Sequence, residues 1–227
     1  MGGDRLGDLT WTELGRKPDL LLAVPVGSTE QHGPHLPLST DTDVALALAG
    51  ALAERREDVL VGPPVAYTSS GEHRDFPGTL SIGAQATELL LVELGRSAAA
   101  TARWLLLVSA HDGNAEPVAR AVRRLRGEGR DVLAWSPRWH GDAHAGRTET
   151  SVQLALDPDR VRSGAAAAGN VRELRALMPV LRREGVRAVS PNGVLGDPTG
   201  ASPEEGARLI AAATEDLCAA VAAWVDR

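Results

Sequence analysis

"LLLAVPVGSTEQHGPHLPLSTDTDVALALAGALAER" (residues 20–55) reads as a strand, a loop and a helix in that order. Residues 20–26 are continuously apolar and too few for a helix, so they predict a strand buried on both faces. Residues 41–55 carry small and apolar side chains at helical spacing, with Ser39 or Thr40 placed to cap the start. Between them, Gly33 and Pro34 prevent a helix. The segment from Glu30 to Asp43 still gathers Glu30, His32, His35, Asp41 and Asp43 directly beyond the buried strand.

The same alternation runs on. VLVGPPVAY (59–67) is strand-like, with Pro63 and Pro64 ending any ladder. ATELLLVELGRSAAATA (86–102) predicts a helix, WLLLVSA (104–110) a second buried strand, EPVARAVRRLRGEG (116–129) a helix ending in glycines, and DVLAWS (131–136) a strand. SPEEGARLIAAATEDLCAAVAAWV (202–225) predicts a long helix opened by a capping box at Ser202 and Glu205. Ala165–Ala168 reads as part of a helix or its approach. Strands alternating with helices, and continuous rather than alternating apolar strands, give an α/β fold with a mostly parallel sheet covered on both faces. At 227 residues, one domain over 1–227 is expected.

Apolar residues make up 43% of the chain, enough for a sizeable core, and the net charge of −6 argues against nucleic-acid or anionic-membrane partners. The arginines at 120–130 read as the solvated face of a helix. Cys218 is the only cysteine, which excludes an intrachain disulfide and a thiolate metal cage. No apolar run reaches 18 residues, and the run at 20–26 leads into a polar loop without a small-residue cleavage site. A cytoplasmic protein is expected.

Ligand sites in open α/β sheets collect beyond the carboxyl ends of the strands. All six histidines lie in the four segments that follow the strands: His32 and His35, His73, His111, then His140 and His144. Glu30 and His32, two apart in an extended segment, point the same way and form half of a divalent-metal site. Asp41 sits where a helix-capping carboxylate would also sit, so spacing alone leaves both readings open. His111 follows a buried strand directly, and Glu149 lies beyond another. Three carboxylates and two imidazoles would suffice for two metals if Asp41 bridged them, and paired metals activate water and polarise a carbonyl. His144 is then a spare histidine, able to move a proton to a leaving nitrogen or simply to bond backbone. The chain lacks GxxxxGK[ST], GxSxG and HExxH. Ser28 and Ser109 lie near strand ends, but no His–Asp pair is singled out for them.

GSTEQHGPHLPLSTDTD (27–43), GEHRDFPGTLS (71–81), SAHDGN (109–114) and DAHAGRTETS (142–151), in this order, resemble the creatininase (creatinine amidohydrolase) family. The resemblance implies a three-layer αβα sandwich with a dinuclear metal centre at the carboxyl ends of the strands. It makes Glu30, His32, Asp41, His111 and Glu149 the ligands, with Asp41 bridging, and His144 the proton-transferring residue. It also places the His73 loop near the pocket and implies ring-like homo-oligomers, commonly hexamers. AVSPNGVLGDPTGAS (188–202) is similar to a peptidase branch of the family. That likeness implies cleavage of a glycine–valine bond near the C-terminus of a modified precursor peptide, releasing a crosslinked Val–Tyr product. It favours Fe(II), with Zn(II) or Mn(II) as alternatives. His73, Trp139 and Asp112 are the expected substrate-binding residues, Trp139 either stacking on an aromatic substrate or covering the sheet edge.

Two departures from the family pattern stand out. Asp112 replaces a glycine of the usual HGGN, and Gly113 stands where creatininase itself has a glutamate ligand, a gap that Glu149 would fill. Arg147 stands where many relatives are acidic and reads as a substrate contact or an ion-pair partner. Two other functions stay open: hydrolysis of a small cyclic amide or formamide, and a metal-binding scaffold without catalysis.

Overall fold

The structure, a computed structural model, describes residues 5–17 and 19–225. Its elements in chain order are α1 (Trp11–Leu14), β1 (Leu21–Val26), α2 (Thr40–Ala53), β2 (Val59–Val61), α3 (Gly83–Ala98), β3 (Trp104–Ser109), α4 (Ala115–Gly127), β4 (Asp131–Trp135), α5 (Arg147–Leu156), α6 (Leu174–Glu184) and α7 (Pro203–Val225). All strand pairs are parallel, in the order β2-β1-β3-β4.

Every side chain of β1 is buried, as its unbroken apolar run requires. Leu21 and Ala23 face a core shared with α2, α5 and α7, while Leu22, Val24 and Val26 face a second core shared with α3 and α4. This alternation produces a three-layer αβα sandwich. Pro25 lies inside β1 without breaking it, because its carbonyl accepts from Val65 on the β2 side. Its missing N–H faces that same side, where β2 has already ended ahead of Pro63 and Pro64.

The chain leaves β1 toward β2 and returns to place β3 on the opposite side of β1. That order makes the β1/β3 boundary the point where the connections diverge, and a crevice opens there beyond the strand ends. The segments that follow β1 and β3 are those carrying Glu30, His32 and His111.

Several expectations are corrected. Neither Ser39 nor Thr40 caps α2 through its side chain; Thr40 is the first helical residue, and Ser39 instead donates to Asp43 at 2.9 Å. The capping box of α7 is half formed. Ser202 Oγ accepts from the Glu205 amide, but the Glu205 carboxylate binds Arg147 and Ser151 instead of returning to Ser202. Arg147 is thus an ion-pair partner. Ala165 ends a short 3-10 turn and Ala166–Ala168 are irregular, because the segment turns extended to run beside residues 194–196. Helices α5 and α6 were not foreseen. α5 packs on α7 at Gly206, where a Cβ would collide with the Ser151 carbonyl oxygen.

Candidate metal centre

Glu30 ends the irregular segment after β1, and its amide donates to the Leu38 carbonyl, which folds the loop back over the strand ends. Gly33 takes φ +65°, a left-handed turn suited to glycine, and lets His32 pair with Leu36. Asp41 lies in the first turn of α2, a helix end that favours a carboxylate. His111 follows β3 directly. His144 is held by a short antiparallel pairing with Leu195, and Glu149 lies in the first turn of α5.

These residues converge. His32 Nε2 is 3.2 Å from Asp41 Oδ1 and 3.8 Å from Glu149 Oε2. His111 Nδ1 is 3.2 Å from Asp41 Oδ2, and its Nε2 is 3.2 Å from Glu30 Oε2. The two oxygens of Asp41 therefore face two different histidines. Ser28 donates to Asp41 Oδ2 at 2.6 Å and fixes the carboxylate plane. Three groups bring one potential ligand atom apiece within 4.8 Å of one another: Glu30, Asp41 and His111; His32, His144 and Glu149; Glu30, His73 and His144.

The electrostatics are those of a site built for cations. Glu30 is fully buried, and neither of its carboxylate oxygens has a hydrogen-bond partner among the described residues. Burying an unpaired carboxylate costs several kcal/mol unless a cation or proton meets it. Burial pushes Glu30 up to about 7 despite the pull of His111, and burial likewise pushes Glu149 up to about 7 despite His32. Burial works against the His32 imidazolium, but Asp41, with Glu149 and Glu30, raises it to about 10. His111 is also raised against burial, by Glu30 and Asp41. Asp41 is held well below the usual carboxylate range: burial opposes ionisation, and His32 and His111 override it. Burial and the charges of His32 and His111 lower His73 to about 3; burial, His32 and His73 lower His144 well below its ordinary value. The mixed imidazole and carboxylate donors, with the orphaned Glu30 oxygens, fit divalent ions of the zinc, manganese and iron type.

The other expected residues are distributed differently. His73 is buried at the centre, its ring 4.5 Å from that of His144. Asp112 is exposed, yet close enough that its charge helps raise Glu149. Trp139 is half-buried against the core between the sheet and α2, α5 and α7. Glu30 and His32 fall in different ligand groups of the centre, His32 being bridged to Leu36 just ahead of the turn at Gly33. His35 is buried away from the ligand groups and bonds Thr150, and His140 is exposed. Sequence reasoning missed Gln31 and Ser70, whose Oγ lies 3.4 Å from His111 Nε2, and weighed Ser28 only as a nucleophile near a strand end. The available signal was polar side chains in segments flanking buried strands.

Residues 7–221 match the family model for creatininase, creatinine amidohydrolase. The chain is 51% identical over 213 residues to the mycofactocin precursor peptide peptidase of Mycobacterium ulcerans (strain Agy99), covering 89% of this chain and 85% of that protein. A Glu-to-Gln mutant creatininase complexed with creatine superposes with a TM-score of 0.85 at 26% identity, covering 97% of this chain and 98% of the other. The Zn-Zn type of such a mutant gives 0.79 at 25% identity, with 98% of each chain covered. No helix among the described residues is long and apolar enough to cross a membrane. The chain belongs to the creatininase family of divalent-metal amidohydrolases and hydrolyses amide bonds.

Proposed function

We propose that this hydrolase cuts a modified precursor peptide near its C-terminus, at a glycine–valine bond, and releases a crosslinked Val–Tyr product. Asp41 carries the metal-dependent part of this reading, because its two oxygens face His111 on one side and His32 on the other. Glu30, Asp41 and His111 would hold one ion; His32, Asp41 and Glu149 would hold the second. Iron(II) is the favoured metal, with zinc or manganese as substitutes. The 51% identity to a mycofactocin precursor peptide peptidase supports the peptide substrate. The active species is a homo-oligomeric ring, hexamer-like, in the cytoplasm, with residues 1–227 acting as one domain.

When bound, the metals supply a Lewis-acid pair that lowers the pKa of water and polarises the scissile carbonyl. His144 moves the proton. Its Nε2 donates to the Gln31 carbonyl at 2.9 Å, which leaves the Nδ1 lone pair turned toward the centre, 3.8 Å from Glu30 Oε1. Its lowered pKa keeps the ring neutral at pH 7, ready to take the proton released as water adds to the carbonyl carbon. The same Nδ1 returns that proton to the departing amine nitrogen as the C–N bond breaks. His73, Asp112 and Trp139 contact the substrate. A second reading, hydrolysis of a small cyclic amide, draws on the likeness to the creatine complex.

The test combines metal content and cleavage. Protein purified anaerobically is assayed for metals, then incubated with the crosslinked precursor and separately with creatinine. About two metals per chain and release of the Val–Tyr product are expected. Two metals with turnover of creatinine alone would replace the peptide reading with the cyclic-amide one.

A further inference from the structure

Gln31 stands between two proposed ligands and is buried. Its side chain touches both histidines of the centre whose pKa values are lowered. Nε2 lies 2.8 Å from His73 Nδ1, 3.0 Å from His144 Nε2 and 3.1 Å from the Gly193 carbonyl oxygen, while Oε1 accepts from the Gly33 amide at 2.9 Å.

The main chain decides which way this amide faces. A backbone N–H must meet Oε1 and a backbone carbonyl must meet Nε2, so Gly33 and Gly193 together fix the orientation. Both contacts need glycine. Gly33 and Gly193 take φ +65° and +81°, and a Cβ on Gly193 would collide with Gln31 Oε1. With the amide fixed, Nε2 can only donate. One proton goes to Gly193, and the other goes to His73 Nδ1, which must therefore be unprotonated. The His73 proton then sits on Nε2, 3.3 Å from Glu30 Oε1. The backbone of the same residue sets the second ring. With both Gln31 Nε2 protons committed, its 3.0 Å approach to His144 Nε2 carries no hydrogen bond; the Gln31 carbonyl, 2.9 Å from that nitrogen, is an acceptor only, so His144 Nε2 carries the proton.

We infer that Gln31 is a positioning residue that sets the tautomers of both histidines. Through its side chain it holds His73 as an Nε2–H donor aimed at Glu30. Through its carbonyl it holds His144 with an open Nδ1. Glu30 Oε1 thus faces the His73 N–H at 3.3 Å while Oε2 turns to the group with Asp41 and His111. His73 orients a carboxylate ligand and is not itself a ligand. Partners that orient the ligands of a metal site in this way are worth about 10- to 100-fold in metal affinity or activity when removed. The inference rests on the proposed function for its placement of Glu30 and for the His144 tautomer; its first readout needs no substrate.

That readout is the 15N spectrum of histidine-labelled, zinc-loaded protein, assigned with His73→Asn and His144→Ala. In the unmutated chain His73 and His144 should both appear as Nε2–H tautomers. His73 found protonated at Nδ1, or with its Nε2 carrying the shift of a zinc ligand, overturns the inference whatever the substrate proves to be. The second arm is Gln31→Glu, an isostere whose carboxylate accepts where the amide donates. It should drive His73 to the Nδ1–H tautomer, keep zinc bound, and lower kcat of amide hydrolysis about 10- to 100-fold with a smaller change in KM. Gln31→Leu should leave the His73 tautomer unset and lower kcat as well. A tautomer switch in Gln31→Glu with kcat unchanged also overturns the role assigned here. If either variant fails to fold, the spectrum of the unmutated chain still decides.

Discussion

Glu128 and Glu30 are both carboxylates ringed by nitrogen cations or their precursors, and they behave oppositely. Glu128, exposed at the end of α4, accepts from Arg96 and Arg130 and lies 3.6 Å from Arg124. The Arg96 hydrogen bond lowers its pKa. Glu30, fully buried, has His111 at 3.2 Å and His73 at 3.3 Å but no hydrogen bond to either oxygen, and burial raises its pKa to about 7. Water supplies what the surface cluster lacks, so its pairs are dispensable. Glu30 is shut off from bulk solvent, so the fold has left a buried carboxylate to be met by something that binds. The surface network is complete as it stands, whereas the centre is complete only with its cations.

The largest break in that contrast is Asp41→Asn. The substitution removes the charge that faces both His32 and His111. Breaking a buried ion pair from one side costs ~3–5 kcal/mol, which corresponds to about 10²- to 10⁴-fold in rate or affinity. Elemental analysis should find both metals depleted and hydrolysis reduced by that order. Retention of two metals per chain would mean that Asp41 only caps α2.

Metal removal sharpens the comparison through pH. Without metal, the folded chain keeps protons on His32 to about 10, and His111 is raised as well, whereas both histidines in the unfolded chain titrate near 6.5. Above pH 6.5 the folded state therefore binds more protons than the unfolded one, and stability falls as pH rises toward 10. Each extra proton contributes about 1.4 kcal/mol per pH unit. Glu30 and Glu149, raised to about 7 from 4.5, give the same sign between those values. His73, lowered to about 3, and His144 oppose it below 6.5, so the clear window runs from about 7 to about 10. Urea midpoints of chelated protein should drop across that window. Metal-loaded protein, with its ligands already deprotonated, should show little slope and should release protons on taking up metal at pH 7. A flat profile for the chelated protein would remove the charge competition described at the centre.

Part of this contrast is legible in the amino-acid sequence alone. Glu30, His32 and His111 follow directly from strands whose apolar runs are unmistakable, and the strand order places those ends side by side. Asp41 is ambiguous because a helix cap and a metal ligand look alike in sequence; the fold puts it in the first turn of α2 with each oxygen 3.2 Å from a histidine, the placement on which the proposed ligand role rests. His144 depends on a pairing with Leu195, about fifty residues away, and Glu149 on a helix whose short amphipathic pattern was not recognised. Gln31 carries no motif. Its meaning comes from Gly33 and Gly193, one 2 positions away in sequence and the other 162, and no local periodicity encodes such a contact.

A smaller effect is expected where packing, rather than charge, holds a ligand. α5 carries Glu149 and rests on α7 at Gly206, where a Cβ meets the Ser151 carbonyl. Gly206→Val should force the helices apart at a cost of about 1–3 kcal/mol, as overpacking does. The displacement falls on Glu149, which faces His32 at 3.8 Å, not on Glu30 and His111. A chelator titration followed by elemental analysis should therefore strip one metal from the variant well before the other. Equal loss of both would show that α5 moves as one body with the rest of the centre.

At the far end of the scale lies Arg96→Ala. It removes the contacts of Arg96 with Glu93 and Glu128 on exposed faces of α3 and α4. Both partners are solvated, Arg130 and Arg124 remain beside Glu128, and salt already screens the pairs. Metal content and hydrolysis should be unchanged, and the urea midpoint at 0.15 M salt, roughly physiological, should be indistinguishable from that of the unmutated chain. A large loss of stability would place the surface cluster in the same class as the centre. The difference between Glu128 and Glu30 would then owe less to solvent than to the identity of the partners.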